Sequence, residues 1–318
     1  ALAPGAGVTG YALSADGQLV AFEKDGLFLA PTSGATPPVP LANAGTTPRF
    51  GAGRLVFDEV NDEDANELFS VPLAGGTPTR LSLPFTDSVT VADVRRFQAR
   101  GRWAAFQVGQ GSIEDELWCA RLDQPEAPFR VEGPTLHNTI NLGFPWGVEL
   151  STTTQRLVYH SRPSGKLYTL ALGGSPVPEE LPGPALATPN GAVPFLLDPS
   201  ETRALYRDAS GALRSMLVDG SAPSVFLAAN IEFGFQLSPD GERVLYFADQ
   251  EVAGRTDLHS VPLDGGACTV DCAAGHLYRV VRVGNTGSAP IPAGVRSTLV
   301  AVSAMLSAAQ PSTRYIAI

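Results

Sequence analysis

Lysine is nearly absent from this chain of 318 residues: Lys24 and Lys166 stand against twenty arginines, a bias we read as one of coding rather than of function. Cations of both kinds number 22 against 32 acids, for a net charge of −10 and a pI near 4.9. Binding nucleic-acid phosphates needs a basic surface, so no nucleic-acid partner is expected. No apolar run approaches the roughly 20 residues of a membrane-crossing helix, so no membrane insertion is expected either. The four histidines (His137, His160, His259, His276) fall in four different contexts, without an H-x-x-x-H or H-E-x-x-H spacing. There is no G-x-S-x-G elbow and no Gly-rich phosphate loop. No cofactor is predicted from these gaps, and no catalytic residue is assigned.

Cysteine is scarce, with three in all. Cys119 lies in the apolar strand pattern "ELWCARL" and reads as a small buried hydrophobe. Cys268 and Cys272, in "GACTVDCAAG", suit a local disulfide better than zinc, because no second Cys or His pair at ligand spacing accompanies them. Such a short loop stabilises by roughly 2 kcal/mol in the chain-entropy model and points to an oxidising, extracytoplasmic compartment: periplasmic, secreted or cell-surface. The opening "ALAPGAG" fits the residue left by a removed secretory leader, or an arbitrary boundary.

What the chain has in plenty is turn residues, 33 Gly and 27 Pro, spread throughout. They punctuate a repeat. "RVLYFADQ" at 243–250 has relatives at 19–25, 54–60, 103–109, 156–162, 203–209 and 298–304, aligned on Phe22, Phe57, Phe106, Tyr159, Tyr206 and Tyr246, with Ala301 in the last. Each copy is followed by a second strand pattern, such as "ELFSVPL" or "DLHSVPL", and then by a turn such as "DGG". Another turn precedes it, as "SADG" (14–17), "DPSE" (198–201) or "SPDG" (238–241). Asp-Gly and Gly-Gly supply the positive φ that tight turns require. A unit of about 45 residues made of short strands predicts an all-β chain, a β-propeller with blades of about four antiparallel strands lettered A to D. Within the sixth unit, A is "GFQL", B "RVLYFA", C "LHSVPL" and D "HLYRVVRV". Each blade buries both faces, so strands B and C are expected to be apolar almost throughout. The aromatic column is then structural.

The stretch "LSPDGERVLYFA…DLHSVPLDGG" resembles the TolB-like family of WD-related propeller repeats, where a Ser-Pro-Asp-Gly turn precedes an apolar strand. The resemblance covers nearly the whole chain, although Ala15 replaces the Pro in the first unit and "STTTQ" (151–155) replaces the turn in the fourth. TolB's extra N-terminal domain has no counterpart. The resemblance implies the fold and not the Tol system. We expect residues 1–318 to form a single propeller of seven blades, with six as the alternative, and residues 1–9 to complete the last blade. Pairing the first and last blades would remove an open edge.

In such a blade the A–B and C–D connections open on one edge, and the B–C and D–A connections on the other. The sequence spacing suggests tight turns at the first edge and long, variable loops at the second, where binding residues are expected. The second edge gathers acids: Asp58, Glu63, Glu114, Asp115, Asp249 and Asp257. Asp62, Asp64 and Asn66 have the D-x-D-x-N spacing of a Ca²⁺ loop, but Glu67 stands where that loop needs Gly and Leu73 where it needs Glu. His137, Phe144 and Trp146 in the D–A connection form a candidate stacking patch for a sugar or peptide; packing over blade ends is the plainer reading. These features lead to a non-enzymatic binding propeller for a protein, peptide or glycan, either a monomer or part of a larger surface assembly. The alternative is a metal-assisted lyase or hydrolase with its site at the channel mouth. A third possibility is a propeller domain of a longer chain.

Overall fold

The computed structural model describes residues 7–42, 46–61, 65–83, 92–110, 114–124, 126–132, 147–161, 164–174, 177–186, 195–238, 240–248, 257–265, 281–282 and 315–316. Two compact units are distinguished, residues 1–164 with 170–179, and residues 165–169 with 180–318. Every described element is a strand, and no helix is long and apolar enough to cross a membrane.

The first unit contains three complete antiparallel sheets whose strands follow chain order. The first is Gly10–Leu13, Leu19–Glu23, Leu27–Pro31 and Val39–Ala42. The second is Thr46–Gly51, Arg54–Val60, Asn66–Pro72 and Thr79–Arg80, and the third Ala92–Arg100, Trp103–Gln110, Glu114–Arg121 and Phe129–Glu132. The fourth repeat supplies Val148–Ser151 and Arg156–Ser161 to this unit, and its strands Lys166–Ala171 and Glu179–Glu180 fall at the division. In the second unit, Phe195–Leu197, Arg203–Arg207, Leu213–Leu217 and Val225–Ala228 form the fifth sheet. Ile231–Leu237, Arg243–Ala248 and Asp257–Pro262 follow as A, B and C of the sixth.

The predicted column is the centre of each blade. Phe57, Phe106, Tyr159 and Tyr206 are fully buried, with Phe22 and Tyr246 nearly so. Each pairs across strands B and C with a large side chain where the register is described: Phe22 with Phe28, Phe57 with Phe69, Phe106 with Trp118, Tyr206 with Arg214 and Tyr246 with His259. Burying such a ring contributes roughly 1.5–3 kcal/mol. The strands are apolar on both faces because each sheet is sandwiched. Leu55, Phe57 and Val71 of the second sheet pack on Ala21, Leu27 and Leu29 of the first. Its Val56 and Leu68 pack the other way, on Val94, Ala104 and Phe106 of the third. Leu205 and Leu213 meet Val244 and Tyr246 in the same manner in the second unit.

The turns before strand B show why Ser-x-Asp-Gly works. The Ser14 hydroxyl donates to Asp16 Oδ1 (2.6 Å) and accepts from the Leu19 N–H (2.9 Å). Asp16 Oδ1 also accepts from the Gln18 N–H (3.0 Å), and the Gly17 N–H closes the turn on Ser14 O (2.8 Å). Ser238, Asp240 and Gly241 repeat every one of these contacts with Glu242 and Arg243. In "DPSE" the first position is Asp198, whose carboxylate takes both the Thr202 and Arg203 N–H groups. The second repeat needs neither side chain, since Ala52 and Gly53 both take positive φ in a two-residue hairpin.

Two expectations need correction. The B–C connections are short in most repeats: 24–26, 61–65, 111–113 and 208–212, with 249–256 the long one. The C–D connections are longer than predicted, at 32–38, 73–78, 122–128 and 218–224. Strand D is short and exposed, as in Thr79–Arg80 and Glu179–Glu180, so the sequence pattern misplaced where strand C's connection ends. Secondly, Val281–Arg282, predicted as strand D of the sixth unit, pairs with Tyr315–Ile316 instead. A strand's apolar pattern states that it is buried but not which edge it joins. Of the predicted closing segment, residues 1–6 lie outside the described residues, and the Thr9 N–H donates to Glu23 O of the first sheet (3.3 Å). Most of the seventh repeat, including Ala301, also lies outside them.

Candidate functional site

The acid-rich edge of the first unit is built from its B–C connections. Strand B brings Asp58 and Glu59 to the end of the second sheet, and strand C starts again at Asn66 and Glu67. Several of these groups have structural duties. The Thr46 hydroxyl donates to Asp58 Oδ1 at 2.7 Å, tying strand A to strand B. Glu67 is buried, and it accepts from Arg80 (3.3 Å) and from the Asn61 amide (3.3 Å). The Asn61 side-chain oxygen in turn accepts from the Ala65 N–H (3.0 Å), so the connection is clamped at its base. In the third sheet Glu116 accepts from Arg130 and from the Trp118 ring N–H, both at 2.9 Å.

Of the proposed Ca²⁺ ligands, Asp62 and Asp64 lie outside the described residues. Asn66 is described, and its backbone N–H donates to Asp93 Oδ1 of the next sheet (2.7 Å). No group of three His, Cys, Asp or Glu side chains suited to a metal occurs among the described residues. Glu63, His137, Phe144, Trp146, Asp249, Cys268 and Cys272 also lie outside them. Glu114, Asp115 and Asp257 are described by backbone, each at the start of a strand C. His259 stacks on Tyr246 (5.4 Å between centroids, 15° between planes), with Nε2 3.2 Å from Ala248 O. It occupies the column that Phe28, Phe69 and Trp118 fill elsewhere, which gives it a packing role.

The sequence reading missed the polar rungs between strands. Arg54 Nε donates to the Ser70 hydroxyl (2.9 Å), and Arg243 Nε to the Ser260 hydroxyl (2.7 Å). Arg203 reaches Ser215 in the same place (3.2 Å). Cys119 stands in that hydroxyl column, and there Trp103 replaces the arginine and carries Arg121 over its ring at 5.5 Å. Burial pushes the Cys119 thiol far above its ordinary pKa. The signal was visible as Arg opening strand B and Ser two residues before the end of strand C.

The second unit's connection 208–212 is organised by Asp208. Its carboxylate accepts from the Ser210 hydroxyl and N–H, the Ala212 N–H (3.0 Å) and Arg214 Nε. Burial pushes this carboxyl up, but Arg214, Ser210 and the two backbone N–H groups outweigh it and hold the pKa below the usual range.

No family model and no curated protein matches the chain. Solved structures do. The dipeptidyl peptidase 4 of Porphyromonas gingivalis superposes with a TM-score of 0.59 at 13% identity, over 83% of this chain and 45% of that one. TolB from Acinetobacter baumannii gives 0.35 at 13% identity, over 75% and 57%. The Cps50 (Swd1) β-propeller domain of Myceliophteria thermophila gives 0.41 at 11%, over 83% and 86%. At these identities the likeness is one of fold. Together with the succession of four-stranded antiparallel sheets, the peptidase match makes the fold an all-β propeller. The chain spans about half the length of the peptidase and TolB.

Proposed function

We propose that the chain is an extracytoplasmic interaction propeller that presents its acid-rich B–C edge to a protein, peptide or glycan, with cationic segments preferred. The supporting observation is the contrast between edges in the first unit. At the B–C edge stand Asp25, Asp58, Glu59, Glu114 and Asp115, with Lys24 the one base in those connections. At the opposite edge charges are mixed and paired: Asp123 lies 3.1 Å from Arg121 and 3.6 Å from Arg102. A one-signed edge raises the association rate of oppositely charged partners and makes binding salt-dependent. Asp62, Asp64 and Asn66 are the proposed Ca²⁺ ligands of this edge. Cys268 and Cys272 form the proposed disulfide that would accompany an oxidising location.

The test is a capture experiment comparing the protein with a variant whose 58–67 segment is replaced by Gly and Ser. The proposal expects the variant to lose the partner and the original to release it as salt rises. Equal recovery by both would overturn it. Metal analysis of the purified protein belongs to the same experiment. Stoichiometric Mn, Zn or Fe would favour a metal-assisted lyase or hydrolase, whereas Ca²⁺ would fit the binding propeller.

A further inference from the structure

The chain contains five Asp-Gly pairs, at 16–17, 25–26, 219–220, 240–241 and 264–265. Asp-Gly is the sequence in which a backbone nitrogen most easily reaches the preceding carboxyl, because glycine carries no side chain to obstruct the approach. In four pairs the nucleophile is occupied. The Gly17 and Gly241 N–H groups each donate across their turns at 2.8 Å, and Gly220 and Gly265 at 3.2 Å. The electrophile is held as well at Asp16, Asp219 and Asp240, each of which accepts from the N–H two residues on. Asp25–Gly26 differs on both counts. Its loop is closed by the Lys24 N–H donating to Gly26 O at 2.9 Å, a bond that leaves the Gly26 N–H unused. Among the described residues neither that N–H nor the Asp25 carboxylate makes a hydrogen bond. Asp25 is exposed and sits at φ 49° in the tight B–C connection of the first blade.

We propose that Asp25–Gly26 is the principal site of isoaspartate formation among the Asp-Gly pairs of this protein. The Gly26 nitrogen attacks Asp25 Cγ, a C–N bond forms, and the carboxyl hydroxyl departs with the amide proton as water. The cyclic succinimide is then reopened by water at either carbonyl. One opening restores aspartate; the other leaves a β-linked residue with one extra backbone methylene and unchanged composition. No oxidant or partner molecule is consumed. The reactive form is the protonated acid, which a hydrogen-bonded carboxylate disfavours. The Asp16 carboxyl is held below its usual range by Ser14 and the Gln18 N–H, and Asp240 likewise by Ser238 and the Glu242 N–H. The modification would lengthen a B–C connection at the acid-rich edge, but the chemistry does not depend on what that edge binds.

Purified full-length chain, aged at physiological temperature and neutral pH, should be digested and its peptides resolved by electron-transfer fragmentation. Methylation by an isoaspartyl methyltransferase serves as an independent probe. Isoaspartate at position 25 is expected to exceed that at each of the other four aspartates by at least about fivefold, the factor one turn hydrogen bond of ordinary strength supplies. Asn190–Gly191 is kept apart by the change of mass and charge that its deamidation brings. Ser14→Ala, which removes the hydroxyl holding Asp16, should raise isoaspartate at 16 and leave position 25 unchanged. An even distribution over the five pairs, a maximum at Asp16 or Asp240, or no response to Ser14→Ala would overturn the proposal.

Discussion

Single residues in this chain act mainly by satisfying backbone groups at turns. The Ser238 hydroxyl donates to Asp240 Oδ1 within its turn and accepts from the Arg243 N–H beyond it, so Ser238→Ala should cost about 1 kcal/mol in denaturant unfolding, and Ser14→Ala a similar amount. Asp208 adds a pH dependence. Its folded pKa lies below the unfolded value near ~3.9, so its stabilisation is complete above that value and is lost as the pH falls through the folded one. Asp208→Asn should therefore cost about 2 kcal/mol at neutral pH, and the two unfolding curves should begin to approach each other only below about pH 4. Gly183 has a different constraint: a Cβ there would lie 2.5 Å from both Tyr206 Oη and Met216 Cε. Gly183→Ala should lower stability by about 1–3 kcal/mol through overpacking. The Ser-x-Asp-Gly turns were legible because their contacts are all local. Gly183 was not, because both side chains that crowd it come from distant positions in the chain.

Among elements, strands B and C could be read directly and strand D could not. B and C are buried on both faces and keep a continuous apolar pattern; D lies at the rim, where Thr79–Arg80 and Glu179–Glu180 are exposed and carry no such signature. The rim is held by charge as well as by backbone pairing, through Glu67–Arg80, Glu116–Arg130 and, with signs exchanged, Lys166–Glu180. These pairs recur at one place in the blade but alternate in polarity, so no single residue type marks them. The Arg–Ser rung between B and C is a separable element. A double-mutant cycle on Arg243→Met and Ser260→Ala should return a coupling energy of about 1 kcal/mol. Coupling near zero would mean that Arg243 acts by covering the strand alone. Cys119, in the same column, should resist thiol reagents in the native protein and react at the rate of unfolding.

At the scale of the whole chain, the proposed disulfide can be counted. If Cys268 and Cys272 are joined, unreduced protein in denaturant titrates one thiol, Cys119, and reduction brings the number to the three in the sequence. Three thiols before reduction would remove the cysteine argument for an oxidising compartment. The sequence by itself determined the repeat, the aromatic column, the turn chemistry and the sign of the charge. Each of these is written in neighbouring residues or in their regular return. Only the tertiary structure decided which acids remain available at the B–C edge, since Glu67 and Glu116 are taken by Arg80 and Arg130 from the adjacent strand. It likewise decided that Val281–Arg282 pairs with Tyr315–Ile316. Choices of partner between segments far apart in the chain rest on competing hydrogen bonds and burial, and local pattern carries no record of which competitor wins.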